Sequence, residues 1–156
     1  MTDAQDAARD GSGPVVFAYD GSDLAKLAID EAGRQLGGKR DALVLTVWKP
    51  FDVGFVPVRG IETDAAEVQA VQELAEATAA AGASLAEAVG FRATSLTTHA
   101  SPTWKGIVDV ADRHDASVIV LGSHGRTGVA SVVIGSVAEA VAAHSRRSVL
   151  ITHHRD

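Results

Sequence analysis

Ser117-Val118-Ile119-Val120-Leu121-Gly122-Ser123-His124-Gly125-Arg126-Thr127-Gly128-Val129-Ala130-Ser131-Val132-Val133-Ile134-Gly135-Ser136 joins the most strand-like segment of the chain to the start of a helix through a glycine-rich run. Val118 to Leu121 is apolar without interruption, the pattern of a strand buried on both faces of a parallel sheet. Gly122 ends it. Ser136 is a residue type that opens helices, and Val129 to Ile134 reads as a short helical piece before it. Glycine reaches φ > 0 without strain, and without Cβ it lets backbone N–H groups approach an anion closely. The helix start after Gly135 adds unsatisfied N–H groups and a dipole favourable to phosphate. Substituting Gly135→Val is therefore expected to block an anion while leaving the fold nearly intact. A plainer reading uses the same residues: Ser136 with Glu139 fits a capping box, in which the serine serves only its own helix.

Strands alternate with helices on either side of this stretch. Val15-Val16-Phe17-Ala18-Tyr19 and Ala42 to Trp48 are buried-type strands, and the first is stopped by Asp20-Gly21-Ser22. Between them Ser22 is a helix N-cap, Leu24, Leu27, Ala28 and Ala32 recur at helical spacing, and Gly37-Gly38 ends the segment. Phe51 to Glu62 reads as a long loop. Asp64 with Glu67 resembles a capping box opening an alanine-rich helix to about Val89, with Val68, Val71, Ala75 and Leu85 on its inner face. Phe91 to Thr98 is a third strand. Ser101-Pro102 reads as a hydroxyl cap followed by proline at the first helical position, with Ile107, Val108 and Ala111 as that helix's inner stripe. Val149 to Thr152 is a fifth strand. Together these predict an α/β fold: a doubly wound five-stranded parallel sheet with helices on both faces, whose ligand site lies outside the strands' carboxyl ends. Residues 14–156 are expected to form one domain, and 1–13, polar and small, a disordered tail.

Composition narrows the functional classes. The 156-residue chain has no cysteine, which excludes thiolate zinc sites, iron–sulfur clusters, disulfides and cysteine nucleophiles. A net charge of -6 with scattered basic residues argues against a nucleic-acid partner. No apolar stretch approaches a membrane span, and the N-terminus lacks a signal peptide's pattern, so a cytoplasmic location is expected. The six histidines show no His-Glu-x-x-His spacing. There is no Gly-x-Ser-x-Gly elbow, no Walker lysine, and no Gly-x-Gly-x-x-Gly after the first strand. Trp48 and Trp104 read as core or pocket-edge aromatics.

The glycine spacing carries a resemblance. Gly122, two residues, Gly125, nine residues, then Gly135-Ser136 is similar to the G-x2-G-x9-G-[S/T] nucleotide signature of the universal stress protein family. Val16 to Asp20 with Gly21-Ser22, the helix around Ala28, Val44 to Val47, and Ile107 with Ala111 match as well, so the resemblance spans residues 14–153. It implies the adenine nucleotide α-hydrolase-like version of the fold and, because the signature is complete, the branch that binds ATP. Carried over by position, it implies that Gly125, Gly135 and Ser136, with Val137 beside them, hold the phosphates. Leu121 and Gly122 then lie along the ribose, and Ala18, Asp20 and Val47 frame adenine and ribose. Asp20, a carboxylate at a strand end, is the candidate contact to a ribose hydroxyl or to a Mg²⁺ accompanying ATP. His124 and Arg126, between the loop glycines, are further candidate phosphate contacts. Ala100 departs from the family's usual glycine before the Ser101-Pro102 helix start.

The expected function is an ATP-binding stress or regulatory protein acting as a nucleotide switch, with no catalytic residue assigned and at most slow hydrolysis. It is expected to form a homodimer through Val149 to Thr152, where an apolar edge would otherwise invite aggregation, and to act on an unidentified protein partner. Two alternatives stay open: a nucleotide-free interaction protein of the same fold, and a genuine ATPase.

Overall fold

β1 (Val15–Ala18) occupies the middle of a five-stranded sheet with β2 (Asp41–Trp48), β3 (Arg92–His99), β4 (Val118–Gly122) and β5 (Ser148–Thr152). The order is β3-β2-β1-β4-β5, and every neighbouring pair is parallel. This computed structural model describes residues 12–50, 65–125 and 134–155. The readings of residues 1–11, the 51–62 loop, Asp64, Arg126 and the helical piece from Val129 lie outside the described residues.

The predicted doubly wound parallel fold is therefore the one observed. Its chain path explains where the helices go. From β1 the chain steps outward to β2 and β3, then returns to β4 and steps the other way to β5. Right-handed crossovers in opposite directions put their helices on opposite faces. Thus α1 (Asp23–Leu36) and α2 (Ala65–Ala88) cover one face, where Ala25, Ile29, Ala83 and Ala86 meet Val15, Phe17, Val44 and Val120. On the other face α3 (Thr103–Arg113) and α4 (Ser136–His144) set Ile107, Val110, Ala138 and Val141 against Val16, Leu45, Ile119 and Leu121. Alternate residues of β1 and β4 serve the two cores, which is why these strands read as unbroken apolar runs.

Local choices mostly follow the sequence. Ser22 Oγ accepts from Ala25 N at 3.2 Å as the N-cap of α1, and Gly37, at φ 74°, ends that helix. Three details differ. α3 begins at Thr103 with Pro102 as its N-cap and no side-chain cap, so Ser101 does not fill that role; proline's fixed φ of -69° suits the extended cap position as well as the first turn. β3 starts at Arg92, because Phe91 turns into the core and meets Phe17 edge-on at 5.3 Å. The third detail is Leu85, which is 38% exposed rather than on the inner face of α2. That face is instead made by Val71, Ala75, Ala79, Gly82, Ala83 and Ala86. Small residues let the helix sit close to the sheet: a Cβ on Gly82 would stand 2.6 Å from the Tyr19 ring and 2.7 Å from Val44 Cγ1. A leucine there would hold the helix away.

Candidate functional site

At the carboxyl ends of the adjacent strands β1 and β4 the chain leaves toward opposite faces, into α1 and toward α4. A crevice opens where they part, as expected at a topological switch point. It is a cleft of about 620 Å³, within the ordinary range for small-molecule sites. Ten of the eleven residues singled out from the sequence line it: Ala18, Asp20, Val47, Leu121, Gly122, His124, Gly125, Gly135, Ser136 and Val137. The eleventh, Arg126, lies outside the described residues. Residues more than 100 positions apart are thus brought to one place by the strand order.

Of the two reasons expected for the loop glycines, left-handed φ and close approach, only the second applies to Gly125 and Gly135. Among the described residues the glycines in the left-handed region are Gly21, Gly37 and Gly90, and neither Gly125 nor Gly135 is one of them. Their need is close approach. A Cβ on Gly125 would stand 2.6 Å from Asp20 Oδ2, and one on Gly135 would stand 2.8 Å from the Ser123 carbonyl oxygen. Gly135 N donates to that same carbonyl at 2.6 Å, and Ser123 N donates to Thr152 O at 2.8 Å. The loop is therefore pinned by backbone bonds on both sides of Ser123. The expectation that Gly135→Val leaves the fold nearly intact does not hold, because a side chain would press on the backbone that shapes the loop.

The capping-box reading also fails. Gly135 is the N-cap of α4, at φ -76° and ψ 163°, and no side chain caps the helix. Ser136 is its first helical residue, and Glu139 N already donates to Gly135 O at 2.9 Å. The first-turn amides of α4 consequently open at the cleft without a side-chain acceptor among the described residues, carrying the partial positive charge of a helix start.

Opposite them, Asp20 Oδ1 accepts from Ser22 N at 2.9 Å, which fixes the carboxylate at the entry to α1. Its charge, after burial itself, pushes the neighbouring Tyr19 hydroxyl above the ordinary tyrosine value. His124 Nδ1 lies 3.1 Å from Ser123 Oγ, while its Nε2 is buried with no hydrogen-bond partner among the described residues. No group of three His, Cys, Asp or Glu suited to hold a metal occurs among the described residues.

Sequence reasoning missed several lining residues, among them Tyr19, Lys49, Thr103, Ser123, Ile134 and Glu139. Lys49 and Thr103 had a usable signal, since each adjoins the carboxyl end of a strand or the helix start that follows it. Trp48 and Trp104 do not line the cleft; they stack on His99 and His144 at 4.8 and 4.2 Å.

The sheet order and the cleft at its switch point define a doubly wound parallel α/β protein. The chain belongs to the universal stress protein family, whose model matches residues 12–153. It is 32% identical over 142 residues to the universal stress protein Rv2623 of Mycobacterium tuberculosis, a match covering 88% of this chain and 44% of that one. The chain thus spans less than half the length of that relative. Among solved structures, MJ0577 of Methanocaldococcus jannaschii shares the fold at a TM-score of 0.72 and 23% identity, covering 93% of this chain and 98% of that one. A universal stress protein solved in complex with cAMP matches at a TM-score of 0.65 and 26% identity, covering 92% of this chain and 98% of that one.

Proposed function

We propose that this chain binds ATP in the cleft and that occupancy, rather than turnover, is its output. The observation that carries the reading is the uncapped start of α4, which opens its amides onto a cleft of nucleotide size beside two glycines where a Cβ would crowd Asp20 and the Ser123 carbonyl. In this arrangement Gly125, Gly135 and Ser136, with Val137, hold the phosphates. Leu121 and Gly122 border the ribose, Ala18 and Val47 border the adenine, and Asp20 accepts from the ribose. The complex of a family member with cAMP supports an adenine nucleotide as the ligand class.

A Mg²⁺ in this site would arrive with the nucleotide. Asp20 is one carboxylate facing the loop, which suits an ion held mostly by phosphate oxygens and water. Bound there, the ion would supply charge neutralisation to the phosphates. Hydrolysis is slow in this proposal, because the described cleft carboxylates are Asp20, held at the α1 entry, and Glu139, on the first turn of α4. The protein is proposed to act in the cytoplasm as a homodimer paired through β5, passing its nucleotide state to a protein partner. No helix among the described residues is long and apolar enough to cross a membrane.

Calorimetric titration of nucleotide-stripped protein with ATP, ADP, AMP, cAMP and GTP tests the reading. Saturable binding of ATP is expected; no heat and no thermal shift at millimolar ATP would sink it in favour of a nucleotide-free interaction protein. Sustained turnover near about one per second, the low end of ordinary enzymes, would instead make the protein an ATPase.

A further inference from the structure

We propose that the outer edge of β3 is the docking site for an extended segment of a partner protein in which basic residues alternate with apolar ones. The inference rests on the reading that this chain acts through a protein partner, and is independent of which nucleotide fills the cleft.

β3 pairs residue for residue with β2 from Arg92 to His99, and among the described residues nothing pairs with its other side. Such an edge is ordinarily blunted by a lysine, a proline, a bulge or a short strand. β3 has none of these: it runs for 8 residues in unbroken register, and its middle is Ala93-Thr94-Ser95-Leu96-Thr97-Thr98. The residues at its two ends are turned toward their own neighbours. Arg92 donates to Asp41 Oδ1 at 2.7 Å and to the Lys39 carbonyl at 2.8 Å, and His99 stacks on Trp48. A free row of backbone donors and acceptors can take a further strand, whose alternate side chains then meet the two faces of the sheet.

Those faces differ, and the difference sets the chemistry of the partner. On one of them α2 packs on β2 and β3, while α1 lies farther along the sheet on β4 and β5. α2 carries Glu67, Glu73, Glu76 and Glu87 and no basic residue. Thr78 and Val89 mark its α1 side: Thr78 Cγ2 is 3.6 Å from where a Cβ on Gly21 would be, and Val89 Cβ is 3.0 Å from one on Gly33. Glu76 and Glu87 each precede one of these residues by two positions, about 200° around the helix, which turns them to the β3 side. Both are exposed, and Glu87 shares a shallow hollow with Arg92, Ala93 and Thr94 at the start of β3. A strand added at this edge meets carboxylates on the α2 face, which favours lysine or arginine there. On the other face α3 packs on β2 and α4, leaving Thr94 exposed and Leu96 half-buried at the edge. Apolar side chains of the added strand gain burial on that side.

The test titrates the protein with a peptide of alternating lysine and valine, matched to the 8 residues of β3, and with its glutamate–valine counterpart. Fluorescence anisotropy reads affinity, and hydrogen exchange reads the β3 amides. The basic peptide is expected to bind and to protect alternate amides of β3, those whose N–H points away from β2. Glu76→Lys combined with Glu87→Lys is expected to weaken it by about tenfold, two exposed charge pairs being turned from attraction to repulsion. Equal affinity for the acidic peptide, unchanged affinity in the double variant, or no new protection in β3 overturns the proposal. So does protection of those amides that rises with protein concentration alone, because a second copy then covers the edge. The exchange readout on the wild type needs no variant to fold. Binding of the basic peptide that protects another element removes this edge and keeps a protein partner. An ATP titration of the same samples keeps the cleft separate: β3 protection without any ATP heat leaves the docking edge standing and removes the nucleotide reading, and ATP heat without β3 protection does the reverse.

Discussion

Gly125 and Gly135 differ in what they would strike. The atom facing Gly125 is the end of the Asp20 side chain, which can rotate at modest cost, whereas Gly135 faces the Ser123 backbone carbonyl. Gly125→Ala is therefore expected to weaken ATP binding by displacing Asp20, with little change in stability. Gly135→Ala is expected to destabilise by about 1–3 kcal/mol, as overpacking does. Urea denaturation of both variants, beside their ATP titrations, checks the contrast, and equal stability losses would contradict it. Glu31 supplies a second prediction. Hydrogen bonds from Gln35 and then Arg34, with the charge of Arg155 as a further help, hold its carboxyl below the ordinary value of 4.5. A depressed folded pKa means the contribution to stability is present above the unfolded value and is lost as pH falls through the folded one. NMR titration should find the Glu31 midpoint below that of an unfolded-chain glutamate; a midpoint at or above it would contradict the bonding.

The long helix α2 sets two physical terms against each other at Gly82. In an isolated helix, glycine to alanine gains about 1 kcal/mol. Here the added methyl would press on the Tyr19 ring and Val44 at under 3 Å, both of them buried. Gly82→Ala is expected to destabilise by about 1–2 kcal/mol net, overpacking outweighing propensity. A stability gain on chemical denaturation would show that the helix can move off the sheet. The element was legible as a helix from its alanines, but its inner face was not. Leu85 belongs to the hydrophobic set, and only packing on β2 and β3 selects Ala79, Gly82, Ala83 and Ala86 as the buried side. Likewise the start of α3 moved by one residue because proline fits either position.

For the whole molecule, the decisive feature is the reversal of strand order between β1 and β4, which brings residues 18–20, 121–125 and 134–137 to one cleft. The two sheet edges differ in chemistry. β3 is rich in threonine and well exposed, whereas β5 offers half-buried Val149, Leu150 and Ile151 and, among the described residues, pairs with β4 alone. Unpaired apolar edges invite association, so the dimer is expected through β5. Sedimentation equilibrium should give a mass twice that of the 16.1 kDa chain at micromolar concentration. A monomer at that concentration would remove β5 as an interface.

The sequence by itself determined the alternation of strands and helices, the parallel sheet, and the place of the glycine loop between a strand end and a helix start. These are properties of neighbouring residues, written in periodicity, caps and breakers. The tertiary structure alone decided that Gly125 and Gly135 are needed for close approach and not for φ, and that Ser136 does not cap its helix. Those facts depend on which atoms meet across the sheet. Asp20 and Gly125 are more than 100 residues apart, and no local pattern records that the Asp20 carboxylate fills the space beside Gly125.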